Sequence, residues 1–225
     1  MTVKRLLGWS LGNALGLGVG FVVMLQVSML IEQGLDFERH WQFLPPDGAL
    51  VTYLSRLGGA LAGGFLFGLG QILASPRLRT RTIGWLSAAT FGFALMMILI
   101  EGPLILTGLW GRIPGPVEPI LITVGGCSLA GGLQLLILRR EGIESMKWFV
   151  LWVAGLVASL LPAALMFASI EGAGVVLSWP VEVFLSGFPV AGVAALMSGR
   201  AFLDAIAPGG PRPATSDQPS PLMTG

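Results

Sequence analysis

The chain has 225 residues, of which 54% are hydrophobic and 11% charged, and its formal net charge is +1. A soluble domain averages about 25% charged residues, so this composition, with a mean hydropathy of +0.81, indicates an integral membrane protein without a large soluble domain. The single cysteine, Cys127, has no partner for an internal disulfide. Together with the single histidine, His40, it supplies too few ligands for a haem, zinc or iron–sulfur site. We therefore expect no cofactor and no metal.

Apolar runs bounded by charged residues or by Pro and Gly predict six transmembrane helices, since crossing the hydrocarbon core takes roughly 20 apolar residues. In chain order the runs cover residues 6–31, 50–73, 83–109, 120–138, 148–170 and 175–197. They form one all-α transmembrane domain over residues 1–207. Residues 208–225 are rich in Pro, Gly, Ser and Thr and are predicted to be a disordered cytoplasmic tail. The first run is too long for a removable signal peptide.

The basic residues orient the six predicted helices. Ten of the 13 Lys and Arg residues fall on the side that both termini share. Because positive residues near span ends are retained in the cytoplasm, both termini are predicted to be cytoplasmic, in a bacterial inner membrane. The ten residues are Lys4, Arg5, Arg77, Arg79, Arg81, Arg139, Arg140, Lys147, Arg200 and Arg212.

The seven tryptophans lie mostly near predicted span ends. An indole ring at the membrane interface keeps its apolar body in the bilayer and its N–H in water. We therefore expect an interfacial belt, with stacking on a ligand as the alternative.

The second and fourth helices share a pattern in which Gly, Gln and Arg recur at the same spacing. Gly68, Gln71 and Arg77 become Gly131, Gln134 and Arg140 when 63 is added to each number. Weaker matches relate the other helices, at offsets of 70 and 76. The chain is thus predicted to consist of three degenerate helical hairpins, each entering from the cytoplasm, with the third the most diverged.

Glycines predict where the helices approach one another closely. Four-residue spacing aligns small residues on one side of a helix, where the missing side chains let another backbone come near. Such faces pack inside the monomer or form a groove for a partner helix, a lipid tail or a pigment. The helix-packing candidates are Gly8, Gly12, Gly16, Gly20, Gly64, Gly68 and Gly131.

Few polar groups fall inside the predicted helices, and each is a candidate for function because burying it in lipid is costly. A buried Arg56 needs a carboxylate, so the expected pair is Arg56 with Glu101 or Glu182. Such a pair is either a structural ion pair or a ligand contact in an outward-facing cavity. Gln71 and Gln134 are expected to form equivalent hydrogen bonds between helices.

No enzyme signature is found in the sequence. It contains no P-loop, no GxSxG and no HExxH motif, and one histidine on a loop leaves no acid–base dyad within the membrane. We therefore predict that the chain is not an enzyme. The net charge of +1 and basic residues close to the bilayer do not indicate nucleic-acid binding, so the expected partners are membrane lipids and other membrane protein subunits.

The Gly, Gln and basic-cluster pattern at Gly68 to Arg77 and Gly131 to Arg140 resembles a loose group of uncharacterised bacterial multi-pass membrane proteins with Gly- and Trp-rich helical repeats. That resemblance implies no activity. In outline the chain is also similar to the substrate-binding membrane subunits of energy-coupling vitamin transporters. Their alanine-based docking motif has only a glycine counterpart here, from Gly8 to Gly20, so the likeness is limited to topology.

Two functions are compatible with these features. The first is a non-catalytic accessory or scaffold subunit that packs against other membrane proteins through its glycine faces. The second is a small-solute transport or substrate-binding subunit with an outward-facing polar site around Arg56, Glu101 and Glu182.

Overall fold

The computed structural model describes residues 3–37, 48–109, 121–143, 145–172 and 178–207, and within these ranges the chain is all-helical, with no strand. Six helical stretches are long and apolar enough to cross a membrane. The chain is therefore a multi-pass α-helical membrane protein, as predicted from its hydropathy. The stretches, called spans 1 to 6, are Val3–Gly34, Ala49–Ala74, Pro76–Leu106, Ile122–Arg140, Met146–Ile170 and Val183–Ala205.

Several spans are built from more than one helical segment. Span 3 contains a 3-10 helix, an α-helix, a π-helical turn and a short α-helix, which are Pro76–Arg81, Thr82–Met96, Met97–Glu101 and Gly102–Leu106. A second π-helical turn, Leu121–Gly125, precedes the α-helix Gly126–Arg140 in span 4. Span 5 is divided into Met146–Ala158 and Leu160–Gly172. The first, second and last helices are single, at Val3–Phe37, Ala49–Ala74 and Trp179–Ala205.

The last helix extends beyond its predicted end at Met197 and finishes at Ala205. Arg200 and Asp204 lower the local hydropathy, which is why the sequence suggested an earlier end. Arg200 is 82% exposed and its Nε lies 3.8 Å from Asp204 Oδ2, so both charges point away from the bundle. Phe202, between them, is fully buried, and its burial stabilises the last turns of the helix. The predicted start, residues 175–177, lies outside the described residues.

Spans that follow one another in the chain pack side by side, and span 6 packs against span 1. One end of this bundle, here called the base, contains the start of span 1 and the end of span 6, where the Trp9 and Phe202 rings stack at 4.2 Å. Arg77 Nη1 donates to the Leu203 carbonyl at 3.4 Å at the same end. The opposite end is called the far end. The base thus brings together helix ends that are far apart in sequence.

The tryptophans correct the expectation of an interfacial belt. Trp9, Trp85, Trp148 and Trp152 are 0–1% exposed and lie inside the bundle. Trp41 and Trp110, and the Trp179 side chain, lie outside the described part of the chain. Hydropathy cannot separate the two locations, because an indole is equally well matched to lipid and to other rings. Here the rings pack on one another and fill the half of the bundle nearest the base.

Candidate functional site

A buried network of amide side chains joins spans 1 to 4. Gln71 Nε2 donates to Asn13 Oδ1 at 2.8 Å, and Gln71 Oε1 accepts hydrogen bonds from Trp85 Nε1 at 2.8 Å and Gln134 Nε2 at 2.7 Å. Asn13 Nδ2 donates in turn to the Trp9 carbonyl at 2.8 Å. Gln71 therefore uses both ends of its amide to tie together four helices.

The amide network is a packing device, since all of its side chains are inaccessible to solvent. Asn13, Gln71, Trp85 and Gln134 are each 0–1% exposed. A polar group buried in this way is stabilised only where its hydrogen bonds are made within the protein. The sequence expectation was two equivalent hydrogen bonds between helices; the structure joins the two glutamines to each other. Gln26 and Gln33, the other glutamines within the described spans, are exposed.

Nearer the far end, Arg56 and Glu101 form an ion pair between spans 2 and 3. Arg56 Nη1 donates to Glu101 Oε1 at 2.6 Å. The Glu101 side chain is 2% exposed and that of Arg56 is 25% exposed, so the guanidinium borders the surface and the carboxylate lies inside. Of the two carboxylates expected near Arg56, Glu101 is the one described in contact with it. The Glu182 side chain lies outside the described part of the chain.

The local backbone explains how Glu101 comes to face span 2. Glu101 ends the π-helical turn Met97–Glu101, whose wider winding changes the direction of side chains relative to a continuous α-helix. Gly102 follows it, and a Cβ there would lie 2.9 Å from Cδ2 of the Tyr53 ring. Tyr53 precedes Arg56 by one helical turn. The two spans thus meet at Tyr53, Arg56, Glu101 and Gly102.

The glycine faces are used within the chain. A Cβ on Gly20 would lie 2.8 Å from the Gly63 carbonyl oxygen, and one on Gly16 would lie 3.0 Å from the Phe67 carbonyl oxygen. Spans 1 and 2 therefore touch backbone to backbone along this face. The same closeness holds for Gly12 against Gly70.

Most of the other glycines named from the sequence also face neighbouring spans. Gly64 and Gly68 of span 2 face Ala89 of span 3, and Gly131 of span 4 faces the Trp152 ring of span 5. Only Gly8, among the glycines named from the sequence, has open space around its Cα. All of the glycines named from the sequence except Gly8 thus have a close neighbour on another span of the same chain.

Two participants in the polar sites were not assigned these roles from the sequence. Trp85 was interpreted as an interfacial residue, yet its indole N–H is a hydrogen-bond donor to Gln71. Asn13 was recognised only as a polar group in a span, and its bond to Gln71 spans 58 residues. A polar residue at an equivalent depth in a neighbouring helix was the available signal for both.

Comparison of the chain with protein-family models, curated proteins and solved structures finds no match.

Proposed function

We propose that this chain is a non-catalytic membrane protein that binds a small solute carrying an anionic group, as part of its transport or capture, at the Arg56–Glu101 site. The observation that carries the proposal is the ion pair itself. Charged side chains at membrane depth are costly, and their usual roles are substrate or ion contacts. A guanidinium that is one quarter exposed beside a buried carboxylate is suited to exchange one carboxylate for another, or for a phosphate.

The packing of the base supports a site that is closed on that side. Large side chains fill the base half, among them Trp9, Trp85, Trp148 and Phe202, which are 0–1% exposed. The buried amides there, Asn13, Gln71 and Gln134, hydrogen-bond to one another. Arg56 is one quarter exposed and lies in the part of span 2 nearer the far end.

We further propose the orientation and organisation of the protein. The base would face the cytoplasm of a bacterial cell and the far end the outside. The reason is that five arginines lie at or near the ends of spans 3 and 4 at the base: Arg77, Arg79, Arg81, Arg139 and Arg140. The spans would be three hairpins related by an axis along the membrane normal. Binding at Arg56 would then be from outside the cell.

The binding proposal is tested by thermal stability of the purified protein in detergent, across a panel of small carboxylates and phosphates. A ligand that binds only the folded state raises the melting temperature. We expect stabilisation of the wild type by a subset of the panel, and its loss in Arg56→Met and Arg56→Lys. Arg200→Met is the matched control, because Arg200 is 82% exposed and lies at the base.

Two results would contradict the binding proposal. One is a panel in which no anionic solute stabilises the wild type. The other is stabilisation that persists unchanged in Arg56→Met. Size-exclusion profiles of each variant separate a loss of binding from a loss of folding. Glu101→Gln tests whether the carboxylate competes with the solute. Removing the carboxylate should tighten binding in a variant that still folds.

A second function, an accessory subunit that packs against other membrane proteins, is favoured by span 5. Only 22% of its most apolar stretch is buried, against 41–50% in the other five spans. A span with so little internal packing presents most of its surface to lipid or to another protein. Mild extraction from the native membrane, followed by mass measurement, tests this function: a partner at fixed ratio supports it, and a lone chain refutes it.

A further inference from the structure

The start of span 3 and the end of span 4 are joined at the base by two contacts. Arg81 Nε donates to Glu141 Oε2 at 2.5 Å, which links the 3-10 helix at the start of span 3 to the residue that follows span 4. Deeper in the two spans, a Cβ on Gly84 would lie 3.5 Å from Ile137 Cδ1. The basic residues of these two helix ends are therefore held together on neighbouring spans.

Three exposed arginines at this contact make no hydrogen bond or ion pair through their side chains with any residue that the structure describes. These three, here called the arginine junction, are Arg79, Arg139 and Arg140. Glu141 is already neutralised by Arg81. Arg77 donates to the Leu203 carbonyl, at the end of the last helix. The arginine junction thus carries positive charge that the described residues do not balance.

Exposed apolar side chains adjoin the arginine junction on the membrane side. Leu136 precedes Arg140 by four residues, so the two lie on the same side of span 4, and Leu136 is 53% exposed. In span 3, Ile83 follows Arg79 by four residues and is 84% exposed. Apolar side chains exposed on a transmembrane span face the acyl chains of lipids. Positive charge and hydrocarbon-facing surface therefore follow one another directly on both spans.

A molecule that complements both parts of this surface needs an anionic head joined to hydrocarbon. The oxygens of a phosphate group suit the planar fork of a guanidinium, which binds them in bidentate geometry. Basic clusters between transmembrane helices recognise lipid headgroups in this way. An anionic phospholipid has both the phosphate and the acyl chains. A soluble acidic protein or a free phosphate ion would meet the charge and leave the apolar side chains uncovered.

We infer that an anionic phospholipid binds at the arginine junction, with its phosphate at the three arginines and its acyl chains along Ile83 and Leu136. A zwitterionic phospholipid binds less tightly, because the cation in its headgroup meets the unbalanced positive charge. The site lies at the base, so it is separate from the site proposed for solutes. It serves a lipid of whichever leaflet the base faces.

The test is native mass spectrometry of the delipidated protein in neutral detergent, titrated with phosphatidylglycerol or with phosphatidylcholine of the same acyl chains. We expect the wild type to bind phosphatidylglycerol more tightly. One surface cation contributes about fivefold to affinity for anionic lipid, so Arg140→Gln should weaken that binding about fivefold, and replacing all three arginines by Gln roughly 100-fold. Arg200→Gln is the matched control and should bind like the wild type. Arg200 is 82% exposed at the same end, but its Nε lies 3.8 Å from Asp204 Oδ2.

Four results would overturn the inference. Equal affinity of the wild type for the two lipids would point to an acidic protein as the partner of these charges. An unchanged lipid preference in the triple variant would place the site elsewhere, and equal weakening in Arg200→Gln would show an effect of net charge alone. Competition by inorganic phosphate or by the deacylated headgroup, at the concentrations at which the lipid binds, would identify a soluble anion as the ligand. The lipid comparison and the competition use the wild type, so they decide the question even where a variant does not fold.

Discussion

Replacing Gln71 by Met should weaken the bundle in proportion to the hydrogen bonds that it loses. Gln71 makes three side-chain hydrogen bonds, with Asn13, Trp85 and Gln134, and is 1% exposed. Hydrogen bonds between membrane helices contribute about 0.6 kcal/mol each on average, so the three together amount to about 2 kcal/mol. Met keeps most of the side-chain volume, which limits any cavity contribution.

Two further variants make the Gln71 prediction quantitative. Gln134→Met removes one of the three hydrogen bonds and should cost about 0.6 kcal/mol. Gln26→Met is the matched control: Gln26 lies in span 1 but is exposed, so the substitution should be neutral or slightly stabilising in a bilayer or micelle.

The assay for these variants is reversible unfolding in mixed micelles with increasing SDS, followed by tryptophan fluorescence, which reports on the buried rings. The expected order of unfolding free energies is Gln26→Met close to wild type, then Gln134→Met, then Gln71→Met. A Gln71→Met loss below about 0.5 kcal/mol, less than one average interhelical bond, would refute the structural role of the network. An equal loss in Gln26→Met would show that the effect is not specific to the buried site.

Two other predictions follow from the packing and the orientation. Gly20→Ala should destabilise the bundle by about 1–3 kcal/mol, because its Cβ would lie 2.8 Å from the Gly63 carbonyl oxygen. Gly8→Ala, in open space, should be neutral or stabilising in the same unfolding assay. Similar losses at both positions would contradict the close contact of spans 1 and 2. Thr107 is exposed at the far end, so Thr107→Cys should react with an impermeant maleimide only from outside the cell. The native Cys127 is buried and should not react. Labelling from the cytoplasmic side alone would reverse the proposed topology.

The candidate sites show which features local sequence patterns predict and which they miss. The matched Gly, Gln and Arg spacing correctly marked Gln71 and Gln134 as polar positions between helices, because the hydrophobic surroundings make any amide in a span conspicuous. It did not indicate that the two glutamines bond to each other, or that Trp85 completes the network. Those contacts depend on the rotation of each helix about its axis, and no pattern within one helix records that rotation relative to its neighbours.

The ion pair shows the same limit. The requirement of a buried Arg56 for a carboxylate followed from charge alone. Glu101 is the partner of Arg56 because the π-helical turn at Met97–Glu101 directs its side chain toward span 2. The run of apolar residues did not reveal this departure from a regular helix.

The amino-acid sequence by itself determined the class of protein and the number of spans. Both depend on the length and hydropathy of continuous segments, which are local quantities. Only the tertiary structure decided which faces meet: the glycines of span 1 lie against span 2, and Trp9, Trp85, Trp148 and Trp152 lie inside the bundle. The physical reason is that lipid and protein interior are both apolar, so a residue suited to one is suited to the other. Close packing, hydrogen-bond geometry and the pairing of charges separate the two, and these arise only when the helices are assembled.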